Sequence, residues 1–111
     1  MATYLNAVRQ DTFTAAGNGV TQRILGTPRT KFTLKVSGTG AVPTAWNVVL
    51  EGSLDDSTYT TILTHASGVE ANNELKYSGA SNFAVVFFRS RVVSLTLGSA
   101  TDIVVSIYAS P

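Results

Sequence analysis

The chain has 111 residues and a formal net charge of +1. That fits one domain around one core and is far from the strongly basic balance that nucleic-acid binding favours, although Arg29, Lys31 and Lys35 could still touch phosphate. With no cysteine, disulfides and thiolate metal sites are excluded as well. A hydrophobic content of 44% against 14% charged residues marks a folding chain, and its 13 Val, 4 Ile and 15 Thr favour pleated surfaces. An all-β domain spanning residues 1–111 is expected.

Taken in order, short alternating runs predict strands over Tyr4–Val8, Thr12–Ala15, Val20–Leu25 and Lys31–Ser37. Ala16-Gly17-Asn18-Gly19 reads as a hairpin turn, because Asn-Gly tolerates positive φ. The run Lys31 to Ser37 sends Phe32, Leu34 and Val36 to one face and Lys31, Thr33 and Lys35 to the other. That second face is either wet or reserved for an acidic partner. Gly38-Thr-Gly40 with Pro43 marks a turn-rich break. Further strands are predicted at Trp46–Ser53 and Tyr59–Thr64, joined by a turn at Leu54-Asp55-Asp56-Ser57. Trp46 is expected to anchor the core, and residues 66–81 to form a long surface loop.

The last strands are predicted at Asn82–Arg89, Val92–Leu97 and Asp102–Ala109. The first of these is apolar at both parities: Phe83, Val85 and Phe87 on one side, Ala84, Val86 and Phe88 on the other. In a two-sheet sandwich only one face meets the opposite sheet, so the second lies under a loop, at a chain end or against another subunit. Ile103, Val105 and Ile107 against Val104 and Tyr108 repeat the tendency.

Reactive groups are sparse. Asp55 and Asp56 lack the spaced third acid of a calcium loop and read as a solvated turn. His65 is the one histidine; a base or ligand in principle, it has no nucleophile elbow to serve. No catalytic residue, cofactor or metal is expected. Residues 1–50 carry Arg9, Arg23, Arg29, Lys31 and Lys35 against Asp11, a balance of +4, and residues 51–111 carry −3. Either opposite patches mate between molecules, or the charges are interspersed on the folded surface. Arg89 and Arg91 share the parity of Phe87 and either emerge into solvent or form an interface rim that pairs with carboxylate.

From Trp46 onward the order of elements carries a resemblance. Trp46-Asn-Val-Val-Leu-Glu-Gly-Ser-Leu-Asp55, then Tyr59-Thr-Thr-Ile-Leu63, then Phe87-Phe-Arg-Ser-Arg-Val-Val-Ser-Leu95 and a valine-rich end resemble small β-sandwich virion proteins of tailed bacteriophages. A more distant similarity is to discoidin-like sandwiches, although Asp56 stands where a turn glycine is often found and Tyr59 where tryptophan is common.

The resemblance implies an antiparallel β-sandwich of jelly-roll type with about eight or nine short strands. It also implies a non-enzymatic virion component, a capsid decoration or cement protein that oligomerises and binds the major capsid protein or another virion protein. The alternatives are a tail-associated adaptor or a discoidin-like module presenting Tyr59, Tyr77 or the loop over 66–81 to a glycan. The interface and docking candidates are Arg29, Lys31, Lys35, Phe83, Val85, Phe87, Phe88, Arg89 and Arg91. Neither nucleic acid nor membrane is an expected partner. The start, Met1-Ala-Thr-Tyr-Leu-Asn-Ala7, lacks a signal-peptide pattern and no apolar run approaches about 20 residues, so synthesis in the host cytoplasm and residence in the virion are expected.

Overall fold

The computed structural model describes residues 7–26, 29–77 and 85–110. Its strands are β1 (Ala7–Phe13), β2 (Gly17–Asn18), β3 (Gln22–Arg23), β4 (Lys31–Gly38), β5 (Ala45–Ser53), β6 (Thr60–Ala66), β7 (Leu75–Tyr77), β8 (Phe87–Thr96) and β9 (Ile103–Ser110). All pairing is antiparallel. One sheet has the order β1-β9-β4-β7 and the other β2-β8-β5-β6, with β3 also on β8. If β2 and β3 are taken as two pieces of one edge strand, the eight resulting strands follow the double Greek-key order of a jelly roll. The predicted architecture is the one observed.

Alternation builds the core. Phe32, Leu34 and Val36 of β4 and Ile103, Val105 and Ile107 of β9 face Trp46, Val48 and Leu50 of β5 and Phe88 and Val92 of β8. Each such buried side chain contributes roughly 1.5–3 kcal/mol of apolar transfer. Phe32 and Phe88 join the two sheets edge to face, with ring centroids 5.9 Å apart.

Several expectations are corrected. The first two predicted strands are one: β1 pairs with β9 without a break from Ala7↔Ala109 to Phe13↔Ile103, and residues 4–6 lie outside the described residues. Gly17 and Asn18 do not turn a hairpin. They pair with Val92 and Arg91 in the opposite sheet, so residues 14–16 are a crossover between sheets. Nearby Gly19 sits in close approach, since a Cβ there would overlap Ser90 Oγ and stand 2.7 Å from Asp11 Oδ2, so that these side chains would have to shift. The stretch predicted as a loop over 66–81 contains β7, which pairs with β4 through Thr33↔Tyr77 to Lys35↔Leu75.

The strands predicted at Asn82–Arg89 and Val92–Leu97 are joined as one ten-residue strand, β8. Its double apolarity has a local cause. A bend at Val86 lets Val85 and Phe88, of opposite parity, both enter the same core at 0% exposure. Val85 pairs there with Arg29, each N–H donating to the other's carbonyl at 3.0 and 3.1 Å. A bulge then leaves Val93 without a partner between Val48↔Val92 and Asn47↔Ser94, which resets the parity so that Leu95 and Leu97 pack against the core.

Candidate functional site

The jelly roll leaves two outer faces, and the candidate residues divide between them. On the β1-β9-β4-β7 sheet, register aligns Val8, Tyr108, Thr33 and Tyr77 across the strands, with Gln10, Ser106, Lys35 and Leu75 in the next row. Val8, Tyr108, Tyr77 and Leu75 are exposed. Lys31, Thr33, Tyr77, Tyr108 and Ser110 line a shallow groove toward the end of this face where β4 begins and β9 ends. Lys31 and Lys35 both stand here, and no Asp or Glu occupies an outward position of these four strands. Among the described residues neither lysine has an ion pair. The face is apolar in the middle, cationic and free of carboxylates.

Arg29 does not join them. It is 7% exposed and held by the Val85 bridge, so the expected docking trio reduces to two lysines. Val85 and Phe88 are core residues, not surface contacts, and Phe83 lies outside the described residues. Val8 was missed from sequence because its place beside Tyr108 becomes visible only when β1 and β9 are laid side by side. Tyr108 did carry a signal, as the single aromatic residue opposite in parity to Ile103, Val105 and Ile107.

The outer face of the second sheet carries Phe87, Arg89 and Arg91. Glu51 is directly opposite Arg89 and buried at 7% exposure. Arg89 Nε donates to Glu51 Oε1 at 2.9 Å and Arg91 Nε to Oε2 at 3.2 Å. The carboxylate that an interface rim would have taken from a neighbouring molecule is supplied within the chain, from the outward parity of β5. Arg89 lies 3.9 Å over the Tyr59 ring and Arg23 lies 5.9 Å over Phe87. The Tyr59 hydroxyl donates to Asp56. Desolvation and that hydrogen bond raise the Tyr59 phenol above its ordinary pKa.

The remaining polar candidates are structural. Trp46 Nε1 donates to His65 Nδ1 at 3.0 Å, and because indole only donates, Nδ1 carries no proton. His65 Nε2 must then donate to the Glu74 carbonyl at 2.9 Å, so the imidazole is neutral and both its nitrogens are used. Ser53 and Asp55 close the β5–β6 turn: Asp55 Oδ1 accepts from the Ser57 and Thr58 N–H groups, each at 2.9 Å. These bonds, with one from Ser53, hold the Asp55 carboxyl below its ordinary pKa. The segment 67–74 is fastened too. Gly38 N–H donates to Asn72 Oδ1 at 2.8 Å, and Asn73 N–H to the Val36 carbonyl at 2.8 Å.

The charge halves of the sequence are not spatial halves, because each sheet draws strands from both. Among the described residues no helix is long and apolar enough to cross a membrane.

No family model and no curated protein matches the chain. Among solved structures, the fold is similar to that of the SPBc2 prophage-derived protein YomS, with a TM-score of 0.66 over 100% of this chain and 97% of that one at 13% sequence identity. The likeness establishes a shared all-β sandwich fold.

Proposed function

We propose that this chain is a non-enzymatic structural protein of a bacteriophage virion, a capsid decoration protein that assembles with copies of itself and attaches to the major capsid lattice. The observation that carries the docking claim is the outer face of the β1-β9-β4-β7 sheet. There Val8, Leu75, Tyr77 and Tyr108 are exposed beside Lys31 and Lys35, with no outward carboxylate. A surface of this kind buries apolar area in its middle and selects an acidic partner at its margin. The full-length likeness to a prophage-derived protein supports a phage setting. The side chains that chemistry would need support a structural role: His65 has both nitrogens committed within the core, and the Asp55 carboxylate is committed to its own turn.

The test is attachment to purified particles that lack the protein. Wild-type chain co-sediments with the particles, and a Lys31→Glu, Lys35→Glu double variant with an unchanged melting temperature loses occupancy, most strongly at low salt. Light scattering of the free protein gives an oligomer mass. Equal occupancy of the double variant overturns the docking face, and localisation of wild-type protein to the tail in imaged particles overturns the decoration role.

A further inference from the structure

We propose that Arg89 and Arg91, on the sheet face opposite the docking face, form a receptor for a phosphate- or sulfate-type oxyanion. This goes beyond the attachment role and does not depend on it, because the two faces lie on different sheets.

Two cations share one carboxylate, so the triad keeps a surplus positive charge. Both contacts to Glu51 use the Nε end of the guanidinium, at 2.9 and 3.2 Å. Among the described residues the Nη groups of both arginines make no hydrogen bond. Four of the five N–H donors on each side chain therefore remain available. The side chains are 25% and 42% exposed, whereas Glu51 is 9% exposed with both oxygens occupied. A ligand from solvent meets the donors and not the carboxylate.

The guanidiniums are also held in place. Each is one hydrogen bond from the same buried carboxyl, so they stand side by side, and Arg89 is stacked 3.9 Å over Tyr59. Asp56, the acid nearest in sequence to Tyr59 in this cluster, is engaged by the Tyr59 hydroxyl. Arg23, over Phe87 on the same face, adds positive charge.

Ordering long cationic side chains is a main cost of anion binding, and here folding has already met most of it. Two separate forks favour a tetrahedral oxyanion, which offers oxygens to both, over a planar carboxylate, which fills one.

The experiment is a titration of the intact chain followed by NMR at the arginine Nε–H signals. Sodium phosphate, sodium sulfate and sodium acetate are added separately at ionic strength held constant with NaCl. Saturable shifts are expected at Arg89 and Arg91 with phosphate and sulfate, with Arg9 unmoved. Arg91→Gln should weaken binding at least tenfold. Glu51→Gln separates the receptor from mere charge: it adds net positive charge but frees the guanidiniums, so a held receptor binds several-fold more weakly.

Non-saturating shifts, equal shifts at Arg9, or tighter binding by Glu51→Gln overturn the proposal. Acetate binding as tight as phosphate overturns the tetrahedral preference and identifies a partner carboxylate as the ligand. If phosphate binds, parallel titrations with a sulfated monosaccharide and with a phosphorylated peptide identify which source of the group is preferred.

Discussion

Replacing Trp46 by Phe tests whether the buried indole–imidazole bond ties β5 to β6 at the end of the pair where β5 begins and β6 ends. Trp46 is 5% and His65 0% exposed, their rings are 6.1 Å apart, and the bond spans 3.0 Å. Trp46→Phe removes the indole donor to Nδ1, and a buried acceptor left without a partner costs about 1–3 kcal/mol. The smaller ring leaves a void that adds about 1 kcal/mol, well short of the ~3–5 kcal/mol of full truncation to Ala. A total of roughly 2–4 kcal/mol corresponds to a melting point lowered by about 8–16 °C for a domain of this size.

Urea unfolding of Trp46→Phe, His65→Leu and the double variant gives the coupling directly. The double variant should cost less than the sum of the singles by about 1 kcal/mol or more, because it removes both ends of the bond at once. Costs that add to within ~0.5 kcal/mol would refute the hydrogen bond as the source of the stability and leave packing alone.

Gly19→Ala should destabilise by about 1–3 kcal/mol, as forced overpacking does, because the new methyl meets Ser90 Oγ and Asp11; adding Ser90→Ala should return part of the loss, as read from chemical denaturation midpoints. The Asp55 carboxyl is lowered in the fold by the Thr58, Ser57 and Ser53 bonds. Its contribution is therefore present above the unfolded value of about 3.9 and lost as pH falls through the lower folded value. Asp55→Asn keeps an acceptor oxygen but does not titrate, so its melting temperature should fall less steeply than wild type below about pH 4. The phenol of Tyr59 is raised by desolvation and by Asp56, so its share of stability is complete below pH ~10 and lost as pH rises through the raised value. Ultraviolet titration should show a late tyrosine step that Tyr59→Phe removes and Asp56→Asn shifts downward.

Strand periodicity reads one chain segment at a time, and its successes and failures follow from that. The alternation of Phe32, Leu34 and Val36 against Lys31, Thr33 and Lys35 predicts the two faces of β4, because side-chain direction in a strand has a period of two whatever the strand pairs with. Trp46 is legible as a core residue from its size alone. The same reasoning fails at Val85–Phe88, where the bend at Val86 places both parities in one core. It fails again at Gly17–Asn18, where an apparent hairpin signal is the short edge strand β2 that follows a crossover between sheets. Gly19 is crowded by the side chains of Ser90 and Asp11, a tertiary contact invisible to local propensity.

The candidate site was legible only in part for the same reason. Lys31 and Lys35 could be placed on an outward face from sequence, but their company could not: Val8, Tyr108 and Tyr77 arrive from three other strands. Arg89 and Arg91 could be assigned a common side, yet the carboxylate between them comes from β5, 38 and 40 positions away.

By itself the sequence determined that the protein is an all-β domain poor in reactive groups, since composition and period-two patterning act locally and add along the chain. Tertiary structure alone decided which outward residues became neighbours, that Arg29 and His65 were withdrawn from the surface, and that Glu51 would hold two arginines. The physical reason is that strand pairing joins residues far apart in the chain, so every such choice depends on register and topology and not on local preference.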